Sequence, residues 1–460
     1  MSEDDGREDG GRKGVGRKND GRSSGHDEAM NRRSFLRKTG ASALGLGALG
    51  LTTTPAVAAQ NAQQQNKKKK NKKLPPLPYP ASTDGLPHIQ RYRPLGNTGM
   101  KISDVSLGSG GVNSPDTVRL AYELGINYFD TAEMYEKGRA ERFIGEALKG
   151  KRDKVYITSK VLTQPEWKRE QMMTELEGSL KRLQTDYVDI YMNHAVNRIS
   201  RIQSPEWHEF VALAKKQGKI RFSGMSGHAG NLQKCLNYAV DNDLVDVILT
   251  AYNFGTDPAF YEKYTKAFDF IANQAGLPQV LAKARKKGIG TIAMKTQMGA
   301  KLNDMQPYEW GDATFSQAAF RWVFTDPNVD ALIVSMRSLR QVIEYVGASG
   351  QVGAGGVGGL GKDEARLLRE YVRLANASYC RNDCGECESS CPASVSIPDV
   401  LRARMYAVDY GAGEMAQDSY ERAKVNAAAC ESCSNPTCLA ACPYGVAIPE
   451  LTREAARLLG

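Results

Sequence analysis

The sequence predicts an α/β protein in which a (β/α)₈ barrel is followed by a small, mainly α-helical domain. Three observations lead to this fold class. Eight short apolar runs alternate with longer segments of helical periodicity, and eight cysteines are concentrated in the region after them. The chain, at 460 residues, is also longer than the roughly 250–300 residues that a single core supports.

The eight apolar runs are the predicted strands, and they are rich in Val, Ile and Tyr. Most are almost continuously apolar, as parallel strands covered by helices on both faces are. Between them, segments such as Arg169–Leu183 place their apolar residues on one helical face. Eight strand–helix units predict a closed parallel barrel. The predicted strands are Val105–Gly108, Tyr128–Thr131, Val155–Lys160, Tyr187–His194, Ile220–Ser226, Val245–Asn253, Gly290–Lys295 and Val329–Ser335.

A doubly wound open sheet is the competing architecture, and it requires a glycine-rich phosphate loop after the first strand. Here Asn113 stands where the third glycine of that loop would be. A full G-x-G-x-x-G motif begins at Gly353, but it follows a helical pattern, which is typical of a linker. The predicted domains are a barrel over residues 88–348, a glycine-rich linker over 349–362 and a second domain over 363–460.

Residues 1–58 have the order of a polar extension followed by an export signal. The pair Arg32-Arg33 precedes a short apolar stretch, Ala41–Leu51, and a small-residue cleavage site at 56–58. This arrangement resembles a twin-arginine signal. It predicts export to the periplasm by the twin-arginine machinery, with residues 59–87 as a disordered linker.

The net charge of +9 reflects an excess of positive charge near the N-terminus, where lysines crowd between positions 67 and 73. No aromatic residue lies among these lysines, and Gln/Asn-rich and proline-rich segments flank them. A solvated spacer is therefore the favoured interpretation, and no nucleic-acid partner is expected.

Eight of the nine cysteines form two runs near the end of the chain. The ninth, Cys235, falls in a helical pattern and is interpreted as a small buried residue. The runs have the spacings C-x₃-C-x₂-C-x₃-C-P and C-x₂-C-x₄-C-x₃-C-P. Each is the bacterial ferredoxin signature C-x₂-C-x₂-C-x₃-C-P with one insertion. The cysteines are Cys380, Cys384, Cys387 and Cys391 in the first run, and Cys430, Cys433, Cys438 and Cys442 in the second.

The two runs resemble an internally duplicated ferredoxin. That resemblance implies two [4Fe–4S] clusters with crossed ligation, in which the fourth cysteine of each run serves the other cluster. Cys442 would then join the first three cysteines of the first run, and Cys391 would join the first three of the second. Helical patterns at 398–405 and 416–429 indicate the α-helical ferredoxin type. Four disulfides or two Cys₄ zinc sites are the alternatives.

Polar side chains stand at the predicted ends of strands two, three and four, where catalytic residues of such barrels come from. They are Asp130 with Tyr135 just beyond it, Lys160, and His194. Reduction of a carbonyl requires a proton donor for the oxygen, and a tyrosine with a pKa near about 10 is a poor acid at neutral pH. We expect Lys160 to lower that pKa, Asp130 to hold the lysine, and His194 to orient the carbonyl.

These residues lie in segments that resemble the aldo-keto reductase superfamily. The segments are Gly125–Tyr135, Ile157–Lys160, Asp189–His194 and Gly218–Ser226, and the resemblance extends over about Tyr92–Gly347. It implies that Asp130, Tyr135, Lys160 and His194 are the catalytic tetrad, with Tyr135 as proton donor and NADPH as the source of hydride.

The positions expected to bind the nucleotide match the family less closely. Ser226 is followed by Gly227, where the family has an asparagine, and Met294, followed by Lys295, stands where a tyrosine normally stacks on the nicotinamide. Iron–sulfur members of the superfamily tend to carry both changes. After the eighth strand, four residues occupy positions that bind the adenosine 2′-phosphate in the family, and an arginine fork suits a phosphate. These residues are Ser335, Arg337, Ser338 and Gln341.

Two functions are compatible with these features. One is an oxidoreductase for a small carbonyl or alcohol substrate, whose clusters exchange electrons with the barrel or with a redox partner protein. The other is an electron-transfer or ligand-binding iron–sulfur protein with a catalytically inactive barrel. Hydride transfer moves two electrons and a cluster moves one, and no flavin motif is visible to convert between them.

Overall fold

The computed structural model describes residues 76–164, 166–228, 231–256, 276–297, 305, 309, 314–351, 360–376, 380, 386–408, 413–443 and 445–460. The predicted export signal, the G-x-G-x-x-G motif and Cys384 lie outside these residues.

All eight predicted strands form, and they close into a parallel barrel in the order β10-β3-β4-β5-β6-β7-β8-β9. Before them, β1 (Tyr92–Pro94) and β2 (Lys101–Ser103) form an antiparallel hairpin that the sequence analysis did not predict. The barrel strands are β3 (Val105–Gly108), β4 (Tyr128–Asp130), β5 (Tyr156–Val161), β6 (Val188–Asn193), β7 (Ile220–Gly227), β8 (Val247–Ala251), β9 (Gly290–Met294) and β10 (Ala331–Ser335).

Helices follow the strands and cover the barrel, as the periodicity predicts. The helix predicted at Arg169–Leu183 has those bounds in the structure. The helices up to the end of the barrel are α1 (Pro115–Glu123), α2 (Arg139–Ala147), α3 (Arg169–Leu183), α4 (Ile199–Gln203), α5 (Pro205–Lys216), α6 (Leu232–Asp241), α7 (Leu277–Lys286), α8 (Phe315–Phe324) and α9 (Leu339–Val346).

Two apolar clusters hold the barrel together. One lies between strands and helices and includes Cys235, which is fully buried in α6 as predicted. The other fills the barrel interior, where Tyr128 and Ile190 meet Met100 and Ile102 from the β1–β2 hairpin. The hairpin therefore seals the end of the barrel at which the strands begin, and the opposite end stays available for a site.

The strand register aligns the ends that carry the predicted site. Gly108 pairs with Asp130, and Asp130 pairs in turn with Thr158. Two residues further along β5 and β6, Lys160 pairs with Met192. Polar side chains far apart in sequence consequently converge at one mouth of the barrel.

The C-terminal part of the chain is helical, and its first helix packs on the barrel. The ring of Tyr371 stacks on Phe315 of α8 with centroids 4.6 Å apart, and it meets Phe254 edge-on at 5.9 Å. The helices are α10 (Lys362–Asn376), α11 (Ile397–Val408), α12 (Gly413–Glu421), α13 (Thr437–Ala441) and α14 (Ile448–Leu459). α11, α12 and α14 enclose a separate small core that includes Val400, Ala416 and Ala455.

Three sequence-based boundaries differ from the structure. The helix predicted at 416–429 ends at Glu421, because the chain then turns and Val425 exchanges hydrogen bonds with Ser396. Within the linker over residues 59–87, which was predicted to be disordered, Tyr79 donates a hydrogen bond to Glu123 at 2.7 Å. At the start of the predicted linker, Ser349 donates to Asp104 at 2.7 Å. Among the described helices, none combines the length and the apolar composition that crossing a membrane requires.

Candidate active site

The predicted tetrad lies at the mouth where the barrel strands end. Asp130 is the last residue of β4, Lys160 is the penultimate residue of β5, and His194 directly follows β6. Tyr135 begins a short 3₁₀ turn after β4. Asp130 and Lys160 are each only 1% exposed, whereas Tyr135 is partly accessible.

A buried ion pair forms the floor of the site. Lys160 Nζ lies 2.6 Å from Asp130 Oδ1 and donates a second hydrogen bond, also 2.6 Å long, to the carbonyl oxygen of Thr131. Burial raises the pKa of Asp130, and the adjacent Lys160 opposes that rise. In the described part of the chain, Asp130 Oδ2 has no hydrogen-bond partner. The lysine is therefore the main compensation for a buried carboxylate.

Tyr135 lies over this pair and against His194. The Tyr135 and His194 rings meet edge to face with centroids 5.6 Å apart. Lys160 Nζ lies 5.3 Å from the centroid of the Tyr135 ring. No hydrogen bond joins the Tyr135 hydroxyl to Lys160 or His194 within the described residues. Ring contacts, rather than hydrogen bonds, thus place Tyr135 beside Lys160 and His194.

The pKa of Tyr135 differs from the sequence-based expectation. Burial raises it well above its usual range, and the negative charges of Asp130, Glu133 and Glu136 raise it further. Lys160 does not offset this rise, so the net shift of the pKa is opposite to the expected one. Asp130 neutralises the ammonium, so desolvation of the phenolate dominates.

His194 is held in its neutral form. Burial lowers its pKa well below 6.5, and electrostatic interactions with Lys160, His228, Arg201 and Lys295 lower it further. Nδ1 is buried and has no hydrogen-bond partner among the residues that the structure describes. Because an N–H at Nδ1 would be buried without an acceptor, the proton belongs on Nε2.

Left-handed backbone is concentrated around the site. Seven described residues other than glycine have positive φ, and four of them follow barrel strands here. Glu136 and Lys137 come after Tyr135, Ala195 comes after His194, and Lys295 comes after Met294. Such conformations cost free energy and persist where surrounding contacts impose them, as they do at many functional sites.

The residues predicted to bind a nucleotide lie at the ends of β7, β9 and β10. Ser226 is buried, and its hydroxyl accepts a hydrogen bond from the Ala195 amide at 3.0 Å. Met294 ends β9 and is partly buried, and Ser335 ends β10. A phosphate needs several hydrogen-bond donors at one place, and the N-terminus of a helix supplies them. The helix after β10 is therefore the element to consider for phosphate binding.

That helix, α9, begins with a set of groups suited to an anion. Ser338 caps it by accepting from the Gln341 amide at 3.4 Å, and Gln341 Oε1 accepts from the Arg337 amide at 2.7 Å. The Arg337 side chain crosses Gly111, whose φ is +84°, and a Cβ there would lie 2.3 Å from Arg337 Nε. Glycine at 111 therefore permits this guanidinium to lie across the β3 loop.

Several residues that hold the site were not predicted from the amino-acid sequence. Glu133 accepts a hydrogen bond from the Leu162 amide at 3.0 Å, and Glu136 accepts one from the Gly111 amide at 2.9 Å. Arg201 of α4 donates to the carbonyl oxygen of His194 at 2.8 Å. These residues stand outside the strand ends, so strand periodicity offered no signal for them.

A second candidate site lies among the C-terminal helices. Cys391 of the first cysteine run lines one cavity together with Cys430, Cys433 and Cys438 of the second run. The guanidinium of Arg453 donates to the carbonyl oxygens of Cys430 and Cys433 at 3.1 and 3.0 Å.

The other cysteine set is described only in part. Cys387 is buried, and Cys380 and Cys442 are partly buried. The described cysteines form no disulfide with one another. Nowhere in the described ranges do three or more His, Cys, Asp or Glu side chains approach closely enough to hold a single metal ion.

Known proteins are similar in sequence to the barrel part of this chain. The aldo/keto reductase family matches residues 106–351, more than half of the chain. L-galactose dehydrogenase of Arabidopsis thaliana is 28% identical over 294 residues, which are 56% of this chain and 87% of that protein. Aldo-keto reductase YhdN of Bacillus subtilis is 36% identical over 157 residues, which are 29% of this chain and 46% of that protein.

A solved structure is also similar over the barrel. It is an aldo-keto reductase from Klebsiella pneumoniae in complex with NADPH, 24% identical, with a TM-score of 0.47 over 62% of this chain and 96% of that one. The family match covers every barrel strand except the first residue of β3, and with it the four polar residues at the mouth. The chain therefore belongs to the aldo/keto reductase family and is an oxidoreductase.

Proposed function

We propose that this protein interconverts small carbonyl compounds and alcohols with NADP(H), and that its C-terminal domain carries two [4Fe–4S] clusters. The observation that supports the barrel's role most directly is the assembly of Tyr135 and neutral His194 over the buried Lys160–Asp130 pair. The nucleotide, when bound, supplies or accepts the hydride.

The protein's own residues deal with the substrate oxygen. His194 Nε2–H donates a hydrogen bond to the carbonyl and fixes its direction. The Tyr135 phenol, which is protonated through the neutral range because its pKa is raised, gives its proton to the oxygen that becomes the hydroxyl. Lys160, held by Asp130 and the Thr131 carbonyl, stabilises the negative charge left on the phenol.

Arg337, Ser338 and Gln341 fit the phosphate of NADP(H). They lie at the N-terminus of α9, where backbone amides and the helix dipole favour an anion. The guanidinium adds a charged fork that matches phosphate geometry. NADPH carries a 2′-phosphate that NADH lacks, so these residues should discriminate between the two nucleotides.

Replacing Arg337 by glutamine is expected to weaken NADPH binding about 10- to 100-fold and to leave NADH binding nearly unchanged, because one charged hydrogen-bonding group is lost. Fluorescence titration of the purified full chain with each nucleotide measures both affinities. Arg340→Gln, in the same helix, is the matched control and should keep the wild-type ratio. Equal loss for both nucleotides would contradict the assignment, and a wild-type protein that binds neither would contradict the proposed function.

The lining of one cavity supports a cluster in the C-terminal domain. Cys391, Cys430, Cys433 and Cys438 line this cavity, and this is the set that crossed ligation implies. A cluster bound there supplies one-electron transfer, and a redox partner protein is the proposed source or recipient of those electrons.

Single cysteine variants test this ligation. Cys391→Ala and Cys438→Ala are each expected to lose about half of the bound iron and sulfide, and the double variant should lose no more, because both serve one cluster. Combining Cys391→Ala with Cys387→Ala should remove both clusters, although those two cysteines are neighbours in one run. Iron and sulfide analysis after anaerobic purification measures this, with Cys235→Ala as the control. Full iron content in the Cys391→Ala variant would refute crossed ligation.

We also propose export by the twin-arginine route, on the order of residues within 1–58. A protein that carries clusters is best exported after it has folded and received them. N-terminal sequencing of the protein recovered from the periplasm tests this proposal, and a mature chain beginning at Ala59 is the expected result.

A further inference from the structure

Arg201 closes a hydrogen-bonded network behind His194. Its guanidinium donates to Asn193 Oδ1 at 2.5 Å, to the His194 carbonyl at 2.8 Å and to the Ala195 carbonyl at 3.1 Å. Its Nε donates to Thr163 Oγ1, just beyond β5, at 3.2 Å. One planar group thus binds three consecutive residues at the end of β6 and the chain after β5.

The backbone that Arg201 binds is strained. Ala195 has φ +49°, in the left-handed region that a residue with a Cβ rarely adopts. This turn sets the direction in which His194 leaves its strand. Because Arg201 binds the carbonyls on both sides of the turn, its fork is the contact best placed to maintain it.

In the described structure, Arg201 makes its side-chain hydrogen bonds to uncharged groups. Its hydrogen-bond acceptors are two carbonyls, an amide oxygen and a hydroxyl, and no carboxylate lies within ion-pair distance of it in the described part of the chain. Burial lowers its pKa to about 10, so it is still a cation at neutral pH. A partly buried cation with no counter-ion among the described residues is costly, and a neutral residue could satisfy a purely structural network at lower cost.

We propose that Arg201 is a positioning residue for the carbonyl chemistry, which fixes the His194 imidazole at the barrel mouth through its hydrogen bonds to the end of β6. This inference rests on the proposed function of the barrel. It assigns a role to a helix residue that lies outside the tetrad and does not touch the substrate.

Other charged and titratable groups also face His194, and they limit the contribution of Arg201 to the protonation of that ring. Lys160 approaches from β5, His228 from beyond β7 and Lys295 from beyond β9, and all three disfavour protonation of the imidazole. Tyr135 covers one side of the ring. Asp130, the nearby carboxylate, is already paired with Lys160. Removing the charge at 201 therefore shifts the titration of His194 only in part, whereas removing the fork takes away both hydrogen bonds from the Arg201 side chain to the carbonyls of the turn.

Two variants of the full chain separate charge from position. Arg201→Lys keeps the charge and loses the fork, and Arg201→Gln loses both. We expect both to lower kcat about 10- to 100-fold with KM changed less than about 3-fold, as misplacement of a group acting in the transition state does. In NMR titrations of the histidine ring, with His194→Gln for assignment, His194 should take up its proton at higher pH in Arg201→Gln and at the wild-type pH in Arg201→Lys.

Arg198→Gln is the matched control, because Arg198 is an exposed neighbour that precedes α4. It should change neither kcat nor the titration. Wild-type kcat in both Arg201 variants, or lost activity that is fully explained by a lower folded fraction with an unchanged His194 titration, would overturn the proposal. The titration does not require turnover, so it still decides the electrostatic part if the wild-type protein reduces no carbonyl.

Discussion

Tyr135→Phe is expected to lower kcat for carbonyl reduction about 10²- to 10⁴-fold, the range that a positioned proton donor contributes. The variant keeps the ring that contacts His194 and removes only the hydroxyl. That hydroxyl bonds neither Lys160 nor His194 in the described structure, so the unfolding free energy and the nucleotide affinity should change little. Stopped-flow or steady-state assay of NADPH oxidation measures the loss.

Tyr128→Phe is the matched control. Its hydroxyl lies in the barrel interior and shares a 2.6 Å hydrogen bond with Thr158, away from the proposed chemistry. This variant should lose about 1 kcal/mol of unfolding free energy and retain kcat. If Tyr135→Phe instead keeps kcat within about 3-fold of wild type, Tyr135 is not the proton donor.

The raised pKa of Tyr135 also predicts how the two reaction directions depend on pH. The phenol is protonated through the neutral range, so reduction needs no prior ionisation and should be nearly independent of pH there. Alcohol oxidation requires the phenolate as base, so its rate should increase as pH rises above neutrality. Equal pH profiles in both directions would contradict this assignment.

Lys160→Met is expected to destabilise the protein by about 3–5 kcal/mol, the usual cost of leaving a buried charge without its partner. Asp130 would keep no other described hydrogen bond on its carboxylate. Its pKa, already raised by burial, would rise further. Since a folded-state pKa above the unfolded value makes ionisation oppose folding, the loss of stability should grow as pH increases. Urea unfolding monitored at several pH values measures it.

Two further variants define the cause. Combining Lys160→Met with Asp130→Asn removes both charges and should recover most of the lost stability. Lys215→Met, at an exposed pair with Asp246, should cost less than about 1 kcal/mol. A cost below about 1 kcal/mol for Lys160→Met alone would show that the buried pair is not what holds the floor of the site.

The barrel could be predicted because its signal is local and repeated. Each strand is an apolar run covered on both faces, so Val188–Asn193 and its counterparts are visible as runs of Val, Ile and Tyr. The β1–β2 hairpin was missed because its strands have three residues each, too few to establish a period. In the site, the residues at the strand ends could be predicted from the sequence. The residues that make hydrogen bonds to them could not.

The amino-acid sequence by itself determined the eight strands, their order and the identity of the residues at their ends, because each strand is a run of consecutive apolar residues. Only the tertiary structure decided the protonation of the site. Burial raises the pKa of Tyr135 and lowers that of His194, and desolvation depends on which side chains surround a group in space. The proposed role of Arg201 also depends on the tertiary structure, because its side chain makes hydrogen bonds to three residues of the β6 end only in the folded protein.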